Sequence, residues 1–324
     1  MRAVQVKARG RVEFVEAPKP ELQPGHVLVR CQTLSLCGSD MYMIHHLPES
    51  MYPLPPGTSG HEMVGIVEAV DAPGSPLQVG DEVLALVHGQ TAMAEYYLAP
   101  ADFVFKLPEG VPKQHLLQAQ QFGTVIYGCK VLPNIIGKNV VIIGQGSVGL
   151  WFATMVRRLG AYRVITVDIQ EHRLIASKLY GATHTIHNKD MEETDVMAAV
   201  QDIFDGELAD VVIDAAGEPP TIRLAYELIR QNGFVLYFGL PHMDELVLHP
   251  MNFFRKTATT RTIVGANDDP NLVSTRMALD LIASGAVDVG PMMTHTFPFD
   301  QVMDAYELHS TRDEGAIKIS VDLF

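Results

Sequence analysis

A chain of 324 residues is long enough to bury two sizeable cores. With 47% apolar and 19% charged residues, it lacks the composition of a disordered segment. A net charge of −14 argues against nucleic acid and anionic membrane surfaces as general partners.

In chain order, short strands come first, over 27–31, 63–70 and 83–87. Pro24-Gly25, Pro55-Pro56-Gly57, Pro73-Gly74 and Gly80-Asp81 punctuate them, and this spacing predicts a β-rich, barrel-like domain. From about residue 123 the pattern changes to alternating strands and helices. Strands are predicted over 139–143, 163–167, 210–214, 234–238 and 262–264. A helix follows the first of these to Leu159-Gly160. Further helices cover 171–179, ending at Gly181, and 221–230, closed by Asn232-Gly233. Such alternation predicts an α/β fold with a doubly wound parallel sheet. A helix over 272–283, the turn Ser284-Gly285 and a mixed tail complete the chain.

Cys31, Cys37 and Cys129 contain no C-x-x-C pair, so a four-cysteine structural zinc site is excluded. Three thiols fit a reducing compartment better than a disulfide scaffold. No apolar stretch reaches the ~20 uncharged residues of a membrane span. Met1-Arg2-Ala3-Val4-Gln5-Val6 runs directly into polar residues without a signal-peptide core. A cytoplasmic protein with no membrane partner is expected.

Gly144-Gln145-Gly146-Ser147-Val148-Gly149 follows a predicted strand and opens a predicted helix. Gly144 suits a tight turn, Gly146 lets backbone approach a pyrophosphate, and Gly149 permits close helix–strand packing. The helix start at Ser147 and Val148 offers free N–H groups and a partial positive charge to phosphate. Asp168 lies at the end of the next strand, where a carboxylate would accept the adenosine ribose hydroxyls and repel a 2′-phosphate. NAD is therefore favoured over NADP, although Arg173 nearby works against that preference. The alternative for Asp168 is a simple turn residue after a strand.

Cys37 and His61 are a thiol and an imidazole, donor types that zinc prefers. Taken singly, a cysteine is more often a core residue and a histidine a satisfied core or surface group. Here Cys37 sits in Leu36-Cys37-Gly38-Ser39-Asp40, and His61 in Gly57-Thr58-Ser59-Gly60-His61-Glu62-Met63-Val64-Gly65. With Gly80-Asp81-Glu82-Val83, Ala94-Glu95-Tyr96, the glycine motif, 210–217, 232–240 and Thr294-His295-Thr296-Phe297-Pro298, the whole chain resembles the zinc-dependent medium-chain dehydrogenase/reductase family. The resemblance is on the side of the sorbitol and threonine dehydrogenases.

That resemblance implies a GroES-like β-barrel catalytic domain (1–122, with a return over 265–324) and an inserted Rossmann NAD-binding domain (123–264). It implies one catalytic zinc on Cys37 and His61, with Glu62 as an alternate ligand. Asp40 would orient the imidazole, Ser39 would start a proton relay, and Thr124 would line the nicotinamide. Counting back from Ile126-Tyr127-Gly128-Cys129, the family's third ligand position falls on Gln120, a neutral and weak donor. Gln120 would loosen the metal and leave it more electrophilic, with Glu62 compensating; the other reading is polar lining and a lost zinc. Tyr42 replaces the family's relay histidine, as relay or pocket wall. His45 and His46 are expected on an exposed loop. The structural-zinc lobe is missing, so no structural zinc is expected.

The expected activity is reversible NAD-dependent oxidation of a secondary alcohol or polyol to a ketone, with zinc as Lewis acid. Two alternatives stand beside it: a zinc-free NAD(P)H-dependent enone or quinone reductase on the same fold, and a non-catalytic dinucleotide-binding protein. Ser39, Asp40 and Glu62 around Cys37 speak against the latter. The family habit of pairing cofactor domains implies a homodimer or homotetramer.

Overall fold

The structure, a computed structural model of the chain, describes residues 1–243, 245, 247 and 250–324. The chain divides into two compact units, Met1–Gly123 with Asp269–Phe324, and Thr124–Asp268. Among the described residues, no helix is long and apolar enough to cross a membrane.

The first unit begins with β1 (Arg2–Ala8), β2 (Arg11–Glu16), β3 (His26–Ser35), α1 (Gly38–His45) and β4 (Glu62–Asp71). It continues through β5 (Glu82–Leu86), β6 (Tyr96–Pro100), β7 (Val104–Lys106) and α2 (Lys113–Leu117) to the start of α3 (Ala119–Cys129). Strands β3 and β4 pair antiparallel along most of their length and form its spine. Their inward side chains Val27, Val29, Cys31, Met63 and Val67 are fully buried with Val83 and Ala85 from β5. At Gly65 a Cβ would come 2.4 Å from the Arg30 carbonyl oxygen, so this close strand contact requires glycine. His45 and His46, expected on an exposed loop, instead end α1 as its last residue and C-cap; His45 is half-buried, whereas His46 is exposed as expected.

The second unit contains β8 (Asn139–Ile143), α4 (Ser147–Arg158), β9 (Arg163–Asp168), α5 (Glu171–Leu179), β10 (His184–His187) and α6 (Glu193–Ile203). Then come β11 (Ala209–Asp214), α7 (Pro219–Leu228), β12 (Ile229–Tyr237), α8 (Pro250–Lys256) and β13 (Thr259–Thr262). Its six-stranded sheet runs β10-β9-β8-β11-β12-β13, with every pair parallel. This is the doubly wound Rossmann order, whose topological switch lies between β8 and β11.

Two predicted boundaries move. Helix α7 stops at Leu228, and Ile229, fully buried, already opens β12. The register jumps from Ala209↔Ile229 to Val211↔Phe234, so the Asn232-Gly233 turn lies in an irregularity within the strand rather than closing a helix. The strand expected over 262–264 is β13, whose four residues are all exposed. It is a polar edge strand, and an apolar run is a poor guide to such an edge. Strand β10 and helix α6 were not among the predicted elements.

The chain returns to the first unit as α9 (Val273–Ala283), β14 (Met293–Pro298), α10 (Val302–Thr311) and β15 (Lys318–Asp322). β15 pairs antiparallel with β3 (Ser320↔Ser35), and Ser35 in turn faces Glu62 across β3 and β4. The C-terminal strand thereby brings Lys318 beside the start of β4.

Candidate active site

Within the first unit, Cys37 is the N-cap of α1. Its backbone N–H donates to Asp40 Oδ2 at 2.7 Å, so the third helical residue closes back on the cap. The same carboxylate faces the histidine: His61 Nδ1 lies 3.3 Å from Asp40 Oδ1, and Asp40 is fully buried. A proton held on Nδ1 leaves Nε2 as the donor for a metal.

The loop before His61 is tightly specified. A Cβ on Gly60 would come 2.6 Å from Leu34 Cδ2 and 2.7 Å from the Met93 nitrogen. Ser59 takes φ +91°, a conformation costing a non-glycine residue ~1–3 kcal/mol. It is held there by its N–H on the Gln90 carbonyl at 3.0 Å and by a buried hydrogen bond to the Tyr306 hydroxyl.

Cys37, His61 and Glu62 each offer a donor atom within 4.8 Å of the others. Donors on one tetrahedral zinc lie roughly 3.6 Å apart, so small rotations bring the Cys37 and His61 donors onto one ion. Burial works against a charged Cys37, but the hydrogen bond and charge of His61 outweigh it and hold the thiol below its ordinary pKa. Burial likewise opposes charge on His61, and its hydrogen bonds to Asp40 and Cys37 carry its pKa well above the usual value. The thiolate is the form that binds metal. Burial alone pushes Cys129 up to about 12 and also raises Cys31, leaving both thiols inert.

Glu62 is embedded rather than open. Lys318 Nζ lies 2.9 Å from its Oε1 and 2.6 Å from its Oε2, and Ser35 Oγ donates to Oε2. Gln118 Nε2 donates to Ser35 Oγ at 3.2 Å. Gln121 Nε2 lies 3.2 Å from Glu62 Oε1 and 3.8 Å from Cys37 Sγ. Gln121 is 5% exposed, and its Oε1 is buried without a hydrogen-bond partner. Helix α3 is seated by Gly123, where a Cβ would meet Thr275 Cα of α9 at 2.8 Å. The residues thus fit a thiolate- and imidazole-bound divalent ion.

Sequence reasoning missed Lys318, Gln118 and Gln121. Gln120, the expected third position, is half-buried on the same helix, and the amide that reaches Cys37 is its neighbour's. Ser39 and Tyr42 are half-buried on α1; the Tyr42 ring packs on the barrel core and stacks with His46 at 6.1 Å.

In the second unit, the glycine motif forms the turn between β8 and α4. Gly144 has φ +87°, and a Cβ there would lie 3.0 Å from the Ala216 Cβ after β11. The loops after β8 and β11 therefore meet at the switch point of the sheet. Gly149 lacks space of any kind: its Cβ would fall 1.9 Å from the Gly144 carbonyl oxygen. Gly146 is open, with only Arg173 Nη1 near, at 3.9 Å. It caps the start of α4, so the helix N–H groups of Ser147 and Val148 face a cradle that admits a phosphate. Asp168 is buried at the end of β9. Its Oδ2 accepts the Gln145 N–H at 2.5 Å and its Oδ1 the Gln170 N–H at 2.7 Å. It fastens the glycine turn, and lone pairs remain for further hydroxyl donors. Thr124, half-buried, opens this unit on the second part of α3.

A family model described as zinc-binding dehydrogenase matches residues 147–284, and one described as alcohol dehydrogenase GroES-like domain matches residues 23–109. D-xylulose reductase A of Aspergillus oryzae is 27% identical over 341 residues, spanning 95% of this chain and 92% of that one. L-threonine 3-dehydrogenase of Proteus mirabilis is 23% identical over 340 residues, spanning 97% of each. The solved alcohol dehydrogenase of Thermus sp. ATN1 is similar at a TM-score of 0.86 and 26% identity, with 100% of both chains covered. With a GroES-like first unit and a Rossmann second unit, the chain belongs to the zinc-dependent medium-chain dehydrogenase/reductase family.

Proposed function

We propose that the protein is an NAD-dependent dehydrogenase that interconverts a secondary alcohol or polyol and its ketone, with one catalytic zinc held by Cys37 and His61. The observation that carries this reading is the convergence of the Cys37, His61 and Glu62 donor atoms within 4.8 Å. Relatives named as a xylulose reductase and a threonine dehydrogenase support a hydroxyl-bearing small molecule as substrate. When bound, zinc supplies a Lewis acid for the substrate oxygen and the dinucleotide supplies the hydride acceptor.

The chain's own residues do the rest. Cys37 supplies the anionic donor, and Asp40 fixes the tautomer and aim of His61. Ser39 Oγ takes the proton of the alcohol. Tyr42, three residues on and on the same side of α1, hands it toward solvent. Loss of that proton and a hydride together leaves the ketone. Gly144, Gly146 and the N–H groups of Ser147 and Val148 cradle the pyrophosphate, with Arg173 beside Gly146. Asp168 receives the ribose hydroxyls, which favours NAD over NADP. The exposed edge of β13, with Phe254 (76% exposed) and Val264 (88% exposed) in the same unit, supports assembly of two copies.

The test is NAD reduction across polyols, amino alcohols and secondary alcohols, with zinc measured on the same sample. Turnover that scales with zinc content is expected. Undiminished turnover by zinc-free protein would remove the metal from the proposal.

A further inference from the structure

We propose that Tyr306 is a positioning residue of the metal centre: its buried hydroxyl, bonded to Ser59, fixes the backbone from which His61 projects. The proposal rests on the zinc reading above and deepens it. Tyr306 lies on α10, 247 residues from Ser59 in sequence, and both belong to the first unit. Tyr306 is 6% exposed and Ser59 0%. Burial raises the phenol far above its ordinary pKa against the opposing pull of the Ser59 bond, and the Asp40 charge raises it further. The bond therefore joins two neutral hydroxyls at ordinary pH.

The residue type at position 59 carries the first argument. Its φ of +91° suits glycine, which the same loop uses at Gly57 with φ +89°. The chain has serine there and bears the strain. The Ser59 N–H reaches the Gln90 carbonyl at 3.0 Å, a contact that glycine would make equally well. What serine adds is a hydroxyl, and that hydroxyl meets Tyr306. Buried hydroxyls are costly to leave unpaired, so each fixes the other in place.

The second argument is the place of this anchor. His61 Nδ1 lies 3.3 Å from Asp40 Oδ1, which sets the rotation of the ring and leaves the position of its Cα to the main chain. One main-chain anchor is Gly60, wedged against Leu34 and Met93, with its carbonyl accepting the Ala92 N–H at 3.0 Å. Ser59, tied to α10 through Tyr306, is the other. Zinc–nitrogen distances hold to within about 0.2 Å, so slack in the two residues before His61 is felt at Nε2.

The experiment measures zinc affinity by chelator competition and the visible spectrum of the cobalt(II)-substituted protein. It uses the wild type, Tyr306→Phe, Ser59→Gly, the double variant and Tyr237→Phe. Phenylalanine at 306 keeps the ring in the core and removes the hydroxyl alone. Glycine at 59 removes the partner hydroxyl and the strain together. Tyr237→Phe is the control, because it removes a hydroxyl bonded to the Ile222 carbonyl in the second unit. Tyr306→Phe and Ser59→Gly should each weaken zinc by about tenfold. Both should move the cobalt d–d bands while keeping the thiolate charge-transfer band, which reports an intact fold around Cys37. The double variant should fall no further than either single variant, because all three lack the same bond. Tyr237→Phe should change neither readout. Unchanged affinity and spectra in Tyr306→Phe, additive losses in the double variant, or equal shifts in Tyr237→Phe would each overturn the assignment. A wild type that binds neither ion would overturn the zinc reading itself, whereas a binding wild type with a silent Tyr306→Phe would overturn only this inference.

Discussion

Replacing Lys318 by Met isolates the energetics of the buried pair at the site. The ammonium sits 2.6 Å and 2.9 Å from the two Glu62 oxygens, with both side chains out of water. At an effective dielectric of ~20 that separation gives roughly 6 kcal/mol of attraction. Most of that offsets the cost of desolvating both ions. Losing one partner of such a pair typically costs ~3–5 kcal/mol, because the other charge is left buried and alone. Ser35 and Gln121 still donate to Glu62, which favours the lower end, about 3 kcal/mol. Adding Glu62→Gln removes the stranded charge and should recover at least ~2 kcal/mol of that loss. Urea unfolding followed by circular dichroism, in excess chelator to remove any metal contribution, supplies the free energies. Hydrogen exchange at the β3 and β4 amides assigns the change to the first unit. A single variant that costs under ~1 kcal/mol, or a double variant no more stable than the single, would refute the reasoning.

Two further outcomes are expected. Asp168→Asn should lower the NAD-over-NADP ratio of kcat/KM by roughly 10–100-fold, the worth of a ~1.5–3 kcal/mol hydrogen bond to a charged group; an unchanged ratio would leave Asp168 as a turn residue alone. Asp214, fully buried at the end of β11, has its pKa pushed by burial to about 6, against the N–H groups of Ala216 and Gly217 that lower it. Because the folded pKa lies above the unfolded one, its contribution to stability is full below about pH 4 and is lost as pH rises through 6, roughly 3 kcal/mol in all. Asp214→Asn should flatten that part of the stability profile in thermal unfolding from pH 4 to 7, and an identical slope in the variant would contradict the assignment.

The parts of the fold legible in sequence are those with local causes. Gly144 needs a positive φ, Gly149 lies against the Gly144 carbonyl, and both constraints act within six residues. Cys37 and His61 were legible because each lies in a stretch whose neighbours serve it, Asp40 as a helix-closing carboxylate and Gly60 as a close-packed turn. Lys318 was not. It is 256 residues from Glu62, and the two meet only because β15 pairs with β3. In sequence, Ile317-Lys318-Ile319 reads as a strand with one exposed lysine, and fully buried lysines are rare. Gln121 was hidden by its twin: adjacent glutamines look equivalent until the helix is oriented by the contact of Gly123 with α9. The β12 and β13 boundaries shifted because backbone pairing with the neighbouring strand, rather than a local apolar run, sets them: β12 begins at Ile229 against Ala209, and β13 pairs with β12 through exposed residues.

Zinc K-edge X-ray absorption on the loaded protein tests the metal centre most directly. The account predicts one sulfur scatterer at about 2.3 Å and the remaining ligands as nitrogen or oxygen at about 2.0–2.1 Å, with the sulfur signal and the zinc both lost in Cys37→Ser. A sulfur-free zinc shell, or zinc bound to full stoichiometry in Cys37→Ser, would contradict it.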